Sequence, residues 1–543
     1  MDSIYDRTLY EIGNEGKYQK RFEMTYLVMF IGFWGMTYMN MILSLAITPH
    51  MCKVPEKPEN ISELDWKIIN IPRYEDVITK QNKFENCLIY ADPYKNNNTK
   101  ACQEYTYDNT WYDTTVPSEN NWVCDKELNV ANILAYSKVG DIIGSIFFGW
   151  FSDVYGRRYT YIISVTMLIF GRFISFVAGS SYIIFTIGCF IGNLPSWSAP
   201  QNVTSIAIEI TSTRRRSFIA SVRFTAYSIG LFVMGLLYWW LRDWRMFNIV
   251  TTAPLIPFLI MSWRMIESPR WLHSQGRLHE SLAQLKKIAK VNKKKIEDNT
   301  EKEILSANLS EKPQSFGVMM LFSSKQLAIN TILQIIIWIV STLSYVLLLM
   351  RSGEKTDGNP FLDFAWQSLI EVPAVYLGTW LANKIGRRYT GMISIGVTAA
   401  MWTSIAVREN SAGGWIRKWW IGTSLNIVAR LATTVIFFII NLLSIEFYPT
   451  CIRQTGSALG NIASGITSVV APYLLYLGRR NDPRLPGILL TVTCLLGILA
   501  SYLLPETLNA KLPETLEEAQ IFGRKNKRLD SRQLKPLKSS QNV

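Results

Sequence analysis

Long apolar segments, separated by polar segments, recur along the whole chain. Each is about 20 residues long, which lets a helix rising about 1.5 Å per residue cross roughly 30 Å of hydrocarbon. The pattern predicts an all-α membrane protein with twelve transmembrane helices. We place these spans at residues 24–47, 129–151, 159–178, 182–207, 217–240, 244–263, 326–350, 361–382, 389–407, 418–442, 453–477 and 486–504.

The polar segments divide the chain between these spans. We expect a cytosolic N terminus (1–23), a first span (24–47), an extracellular loop domain (48–128), spans two to six (129–264), a cytosolic linker (265–325), spans seven to twelve (326–504) and a cytosolic tail (505–543). In the linker, Leu278, Leu282, Leu285, Ile288 and Val291 recur at helical spacing. Such an amphipathic helix either lies at the membrane surface or binds a cytosolic regulator.

Composition and charge agree with a bilayer environment. Apolar residues make up 49% of the chain and charged residues only 18%, yet the net charge is +14. The basic residues fall mainly in alternate segments between spans, which is typical of cytosolic loops and places both termini in the cytosol. No basic stretch outside the spans alternates with aromatic residues, so the charge does not indicate nucleic-acid binding.

Four of the seven cysteines fall between the first two spans: Cys52, Cys87, Cys102 and Cys124. In an extracellular segment they predict two disulfides, and the spacing leaves all three pairings open. CxxC and paired-histidine motifs are lacking, so we expect no metal. The same segment carries two sequons, at Asn60 and Asn97, which predict glycosylation.

The two halves of the chain are related by an internal repeat. The sequence GWFSDVYGRRYT at 149–160 returns as TWLANKIGRRYT at 379–390. Glu209 followed by Arg216 likewise returns as Glu446 followed by Arg453. Repeated halves predict two six-helix bundles with a substrate cavity between them near the middle of the bilayer.

Together these features resemble the organic cation and organic anion transporters of the major facilitator superfamily. The resemblance rests on the cysteine-bearing loop and on SDVYGRR (152–158), RDWR (242–245), ESPRWL (267–272), EVP (371–373), NKIGRR (383–388), FYPTCIRQTG (447–456) and PETLNAKLPETLEEA (505–519). It covers nearly the whole chain. The family implies a plasma-membrane carrier that moves small organic ions by alternating access.

The resemblance and the repeat together predict a set of gate residues at the cytosolic mouth. These are Asp153, Arg157, Arg158, Glu209, Arg216, Arg387, Arg388, Glu446 and Arg453. Ion pairs that exist in only one conformation bias the equilibrium between the two open states. The alternative is that the arginines only set topology. Asn383 replaces Asp153 in the second half, so we expect a weaker latch there.

Charges inside the spans are costly and usually face water, so each is a candidate for substrate binding. Glu371 matches an acid of the family that approaches cationic substrates, and the repeat offset of 230 leads from Glu371 to Asp141. The family residue at Asp141 is apolar, so this acid is a departure, and its alternative role is a local ion pair with Lys138. Arg172, Arg223 and Arg430 add basic charge. Arg430 either neutralises an acid or holds a substrate carboxylate.

Aromatic and polar residues complete the predicted site. Trp338 and Tyr345 match family positions that line the cavity, and Trp34, Tyr38, Trp197 and Asn193 are further candidates. Aromatic faces attract ammonium groups, although packing alone also explains aromatic residues in apolar helices. In the eleventh span, cation carriers have Asp and anion carriers Arg, whereas Gly465 occupies the position here. The resemblance therefore leaves the sign of the substrate open.

We expect a carrier of organic cations or zwitterionic amines that uses Asp141, Glu371 and the aromatic face. The alternative is an organic-anion carrier that uses Arg223 and Arg430. A third reading, a receptor that transports nothing, leaves the repeated gate motifs without a role. The three histidines are scattered without a catalytic motif, so we expect no enzyme activity and no cofactor. We further expect a monomer, with a cytosolic regulator as a candidate partner of the linker.

Overall fold

The computed structural model is mostly helical. It describes residues 4–13, 15–56, 58–75, 82–92, 98–178, 180–195, 197–211, 215–306, 318–353, 358–411, 415–448 and 452–508.

The first half and the linker form fifteen α-helices in the described residues. They are α1 (Ile4–Ile12), α2 (Lys17–Phe22), α3 (Ile31–Ser44), α4 (Glu63–Asn70), α5 (Val116–Asn120), α6 (Leu128–Tyr155), α7 (Arg157–Val177), α8 (Tyr182–Asn193), α9 (Ser198–Glu209), α10 (Arg216–Leu241), α11 (Trp244–Thr252), α12 (Leu255–Met261), α13 (Pro269–Ser274), α14 (Leu278–Asn292) and α15 (Asp298–Ser306). A π-helical stretch, Glu23–Phe30, joins α2 to α3.

The second half contributes the remaining helices. They are α16 (Lys325–Ser352), α17 (Pro360–Leu369), α18 (Glu371–Ile385), α19 (Arg387–Glu409), α20 (Trp419–Phe447), α21 (Arg453–Arg480) and α22 (Leu485–Leu503). Short 3₁₀ helices occur at Cys124–Lys126, Ser262–Arg264, Val318–Phe322 and Trp415–Arg417.

Ten helical segments of the described chain are long and apolar enough to cross a membrane. The other two predicted spans, 182–207 and 361–382, coincide with pairs of shorter helices, α8 with α9 and α17 with α18. Prolines account for the breaks, because Pro195 follows α8 and Pro373 cannot donate to the carbonyl of Leu369. Of the ten apolar segments, the sixth crossing (Trp244–Arg264) is also divided, into α11, α12 and a 3₁₀ turn.

Six short strands form three antiparallel pairs in the segment between the first two crossings. They are β1 (His50–Cys52) with β6 (Tyr105–Tyr107), β2 (Arg73–Glu75) with β3 (Asn82–Phe84), and β4 (Leu88–Tyr90) with β5 (Thr99–Ala101). Disulfides join Cys52 to Cys102 and Cys87 to Cys124, which confirms the two predicted bridges and resolves their pairing. The sequon asparagine Asn60 is exposed. Asn97 lies outside the described residues.

The RDWR motif anchors this disulfide-bonded segment to the helices. Arg242, in a left-handed conformation after α10, donates to the carbonyl oxygens of Trp111, Asn109 and Thr110 at 2.6–3.0 Å. Arg245 forms an ion pair with Glu119 in α5. We call this end of the molecule the loop end. The opposite end, which carries the two Gly-Arg-Arg motifs, is the motif end.

Beyond the motif end, the N-terminal helices cover the linker. The apolar residues Leu285 and Ile288 of α14 are fully buried, in one cluster with Leu9 and Ile12 of α1. Asn292 fastens the contact, because its side-chain amide donates to the carbonyl of Ile12 at 3.0 Å and accepts from the amide of Tyr18 at 2.9 Å. The apolar face of α14 therefore packs on the N-terminal helix α1, a contact that the sequence analysis did not predict.

The two bundles meet in the loop-end half of the spans. Tyr473 of α21 donates to Asn132 of α6 at 3.0 Å, and Arg479 of α21 lies 3.0 Å from Glu127. Tyr112 of the loop segment donates to the carbonyl of Gly353, after α16, at 2.7 Å. These contacts hold the loop end of the two bundles together.

Candidate transport site and gates

Four aromatic side chains form a cluster in the middle of the first bundle, which we call the aromatic cluster: Trp34, Tyr38, Trp197 and Tyr227. The Trp34 ring stacks on Tyr38 at 4.7 Å and tilts against Trp197 at 4.9 Å. Trp197 also contacts Tyr38 at 5.8 Å and Tyr227 at 5.1 Å. The rings come from α3, the break between α8 and α9, and α10. The structure thus brings together three predicted residues and adds Tyr227.

Asp141 of α6 lies directly against this cluster. Its Oδ2 atom accepts a hydrogen bond from the Tyr38 hydroxyl at 2.6 Å and lies 2.8 Å from Lys138 Nζ. The Lys138 ammonium is also 5.0 Å from the centre of the Tyr38 ring. The local ion pair that was the alternative reading of Asp141 is therefore present. It does not exclude substrate contact, because the ion pair itself borders the aromatic rings.

The second bundle holds the other span acid, Glu371, in a buried ion pair with Arg430. Arg430 Nε donates to Glu371 Oε1 at 2.7 Å, and both side chains are at most 5% exposed. Arg430 also lies 3.7 Å from the centre of the Tyr345 ring. Ser228 of α10 donates to the other Glu371 oxygen at 2.7 Å, so this acid joins the two bundles. Arg430 is thus ion-paired with an acid of its own bundle in this structure, and its contact with a substrate carboxylate stays a prediction.

The other predicted residues of the second bundle surround this pair. Trp338 and Tyr345 both contact the ring of Phe437, at 5.9 Å and 5.3 Å, so they share one face of α16 as their spacing predicts. Gly465 lies where α21 meets α6, and a Cβ atom there would come within 2.5 Å of Ile142. The position that carries the diagnostic charge in the resembled family is thus used here for close helix packing.

Asn193 and Arg172 form a separate, closed group in the first bundle. Arg172 is fully buried and donates to the carbonyls of Thr37 and Tyr38 at 3.1 and 3.0 Å. It also donates to the side-chain oxygen of Asn193 at 3.0 Å. Asn193 therefore holds an arginine of its own bundle in this conformation, and its contact with substrate stays a prediction.

Arg223 of α10 is half-buried beside the aromatic cluster. Its guanidinium lies 5.8 Å from the Trp197 ring centre and 5.7 Å from that of Phe224. Its Nη1 donates to the side-chain oxygen of Gln201 at 2.9 Å. Among the described residues no acid pairs with this arginine.

At the motif end of the first half, Arg157 Nη1 lies 2.8 Å from Asp153 Oδ1. The Asp153 side chain is 76% exposed. Gly156 precedes α7 and has a φ of 105°, a backbone conformation that glycine adopts far more readily than other residues. This conformation directs the first backbone amides of α7 toward Glu267. Glu267 accepts from the amides of Arg157 and Arg158 at 2.9 and 3.1 Å. The Arg158 side chain donates to the carbonyls that end the sixth crossing.

The second half repeats this arrangement with one difference. Glu506 accepts from the amides of Arg387 and Arg388 at 2.9 and 3.1 Å, after a Gly386 with a φ of 96°. The Arg387 guanidinium bonds Glu446 at 3.1 Å, in a buried pair. Asn383 supplies no acid four residues before Arg387, and Arg387 pairs with Glu446 instead; whether this pair is a weaker latch stays a prediction. The side chains of Arg216 and Arg453 lie outside the described part of the chain.

Glu267 and Glu506 are functional candidates that the sequence analysis quoted in motifs without assigning a role. Each carboxylate binds the free amides of a helix N terminus, where negative charge is stabilised. Each is followed by a hydroxyl that donates to another acid of the same half, Ser268 to the half-buried Glu209 and Thr507 to the buried Glu446. Burial raises the pKa of Glu267, and the amides and Arg157 oppose that rise. In the sequence, Glu506 follows Glu267 by 239 positions, and Thr507 follows Ser268 by the same number. This repeated spacing is the signal that could have identified the two acids.

Comparison with known proteins agrees with this architecture. The family model described as "Sugar (and other) transporter" matches residues 92–519. The "Organic cation transporter protein" of Drosophila melanogaster is 27% identical over 96% of this chain and 95% of its own length. The "Organic cation/carnitine transporter 2" of Rattus norvegicus is 26% identical over 95% and 93% of the respective lengths. The "Beta-alanine transporter" of Drosophila melanogaster is 26% identical over 95% and 89%.

Solved structures agree on the fold. The proton:xylose symporter XylE, of the major facilitator superfamily, superposes with a TM-score of 0.53 over 72% of this chain and 89% of its own, at 20% identity. An inward open conformation of XylE from E. coli gives the same score over 76% and 92%, at 16% identity.

Proposed function

Since the chain belongs to the sugar (and other) transporter family, we propose that it carries small organic cations or zwitterionic amines. The chain is a membrane transporter, and relatives over nearly its full length are named for organic cations, carnitine and β-alanine. We further propose which residues bind this substrate class and how the protein is oriented in the plasma membrane.

The observation that carries the proposal is the contact between Asp141 and the aromatic cluster. An ammonium group gains both from the negative face of an aromatic ring and from a nearby carboxylate. Lys138 already occupies this position, with its ammonium near the Tyr38 ring and against Asp141. It thereby marks the place where a substrate ammonium would bind, in competition with Lys138.

The distribution of contacts between the bundles supports alternating access. The bundles are joined at the loop end by Tyr473 with Asn132 and by Arg479 with Glu127. The caps of Glu267 and Glu506 each lie within one half of the chain. A rocking motion must therefore break the loop-end contacts while each cap moves with its own bundle.

The charge distribution supports an orientation with the motif end and both termini in the cytosol, at the plasma membrane. The disulfides and the exposed Asn60 favour an extracellular loop end. In this orientation the linker and α1 are cytosolic. A regulator that bound the apolar face of α14 would have to displace α1. We further propose that the carrier acts as a monomer.

Replacement of Asp141 tests the binding site. In cells expressing the full chain, we expect Asp141→Asn to raise the KM for amine probes about 10-fold or more, because a charge-assisted contact is lost. Since the replacement also leaves Lys138 uncompensated, the double variant Lys138→Met/Asp141→Asn is measured beside it. It should reach the cell surface but not recover amine uptake.

The exposed acid Glu297, in the linker, supplies the matched control Glu297→Gln, which should transport as the parent does. Amine uptake that is unchanged in Asp141→Asn, or restored in the double variant, would remove Asp141 from the site. A chain that carries organic anions but neither cations nor zwitterions would favour the anion-carrier alternative.

A further inference from the structure

The charges of the central region do not balance, because among the described residues no acid forms an ion pair with Arg172 or with Arg223. Asp141 is paired with Lys138, and Glu371 is paired with Arg430. These two pairs cancel. Arg172 is enclosed by backbone carbonyls and Asn193. Arg223 is the half-buried basic residue beside the aromatic cluster to which, among the described residues, no acid is matched.

A charge inside a span usually faces water or a partner, because burial without either is costly. The Arg223 guanidinium has a neutral oxygen from Gln201 on one nitrogen and two aromatic faces beside it. Gln201 orients the group without cancelling its charge. Such a guanidinium is preorganised for an anion that comes from outside the chain, and its planar fork fits a carboxylate.

Arg223 lies beside the Trp197 indole ring, whereas Asp141 is connected to that ring only through Tyr38. Trp197 contacts the Tyr38 ring at 5.8 Å, and Tyr38 in turn donates to Asp141 at 2.6 Å. Trp197 also contacts the Arg223 guanidinium at 5.8 Å. A positive and a negative group therefore both border the aromatic cluster, Arg223 at Trp197 and Asp141 at Tyr38.

We propose that Arg223 binds the carboxylate of a zwitterionic amine, while Asp141 and the aromatic cluster bind its ammonium group. The inference rests on the proposed function and narrows it. A purely cationic substrate would add positive charge to a site that already contains an unmatched arginine. A zwitterion adds none, and its carboxylate compensates Arg223.

Two probes that differ only in the carboxylate test this assignment. They are trimethylammonium butanoate and the corresponding carboxamide, which keeps the size and the cation but lacks the anion. Uptake of both is measured in cells that express the full chain, Arg223→Gln, Arg223→Lys or the linker control Arg277→Gln. The readout is the ratio of the KM for the butanoate to the KM for the carboxamide, normalised to surface expression.

In the parent we expect the butanoate to have the lower KM. In Arg223→Gln the KM ratio should rise about 10- to 100-fold, because a charge-assisted, bidentate contact is lost. The KM ratio of Arg223→Lys should lie between those of the parent and Arg223→Gln, because lysine keeps the positive charge but lacks the planar pair of donors that binds a carboxylate. If Arg223→Gln fails to reach the surface, the Lys variant alone must still raise the ratio.

A KM ratio that stays constant across the Arg223 variants, with both probes transported, overturns the role of Arg223 and leaves the proposed function standing. A parent that transports the carboxamide better than the butanoate overturns it in the same way. A parent that transports neither probe, but does transport anions without an ammonium group, overturns the proposed function itself.

Discussion

Replacing either member of the Glu371–Arg430 pair is expected to abolish uptake and to destabilise the protein strongly. The two side chains are buried between the bundles, at most 5% exposed. Removing one partner of a buried ion pair leaves the other charge uncompensated, which typically costs about 3–5 kcal/mol. Glu371→Gln and Arg430→Gln should therefore both lower the thermal unfolding temperature of the purified protein, and both should lose transport.

The double variant Glu371→Leu/Arg430→Met separates stability from function. Replacing both charges by apolar residues of similar volume is often neutral or stabilising. We expect the double variant to recover its unfolding temperature but not its transport, because Ser228 then loses the acid that links it to the second bundle. Glu280→Gln, which breaks the exposed Arg277–Glu280 pair, is the matched control and should change stability by at most about 0.5 kcal/mol. A Glu371→Gln variant as stable as this control would contradict the account.

Glu446 should matter more than Asp153, although both acids contact the arginine of a Gly-Arg-Arg motif. Arg387 and Glu446 form a buried pair, whereas the Asp153 side chain is 76% exposed. The loss of an exposed pair one helical turn apart costs about 0.3–0.5 kcal/mol, and the loss of one partner of a buried pair costs several-fold more. Glu446→Gln should therefore destabilise the protein and reduce the maximal uptake rate well beyond Asp153→Asn.

The comparison is made on the purified variants by thermal unfolding and in cells by initial uptake rates. Asn383→Asp, which restores the acid of the first repeat, supplies the reciprocal test. It should rescue Glu446→Gln in part, because Arg387 would regain an acid four residues earlier on the chain. The opposite order, with Asp153→Asn the more damaging variant and no rescue by Asn383→Asp, would place the latch in the first half.

The sequence was sufficient to predict the twelve crossings and the repeat, because apolar length and the Gly-Arg-Arg motifs are local signals. It also predicted two disulfides, but the distances that pair Cys52 with Cys102 arise only from the folded segment. The positions of the helix breaks in the fourth and eighth crossings could be predicted in part from the sequence, because Pro195 and Pro200 lie in the fourth predicted span and Pro373 lies in the eighth.

Charge pairing was less predictable, because long side chains choose among several partners within reach. The bond between Glu446 and Arg387 was not anticipated from the repeat, and the predicted pair of Glu446 with Arg453 lies outside the described side chains. The ion pair of Glu371 with Arg430 was only one of the alternatives in the sequence analysis, and contact of Glu371 with substrate stays a prediction. The hydrogen bond from Asn292 to the carbonyl of Ile12 joins residues 280 positions apart in sequence, and no local pattern in either segment predicts it.

Solute counterflow tests the central claim, an alternating-access carrier for ammonium compounds, most directly. Purified full-length protein is reconstituted into liposomes that are loaded with unlabelled trimethylammonium butanoate, and entry of the labelled compound is followed after dilution. The account predicts a transient accumulation of label above equilibrium in the parent, and a much smaller one in Asp141→Asn. A parent that gives no accumulation with any cation or zwitterion, but gives it with an organic anion, would contradict the account.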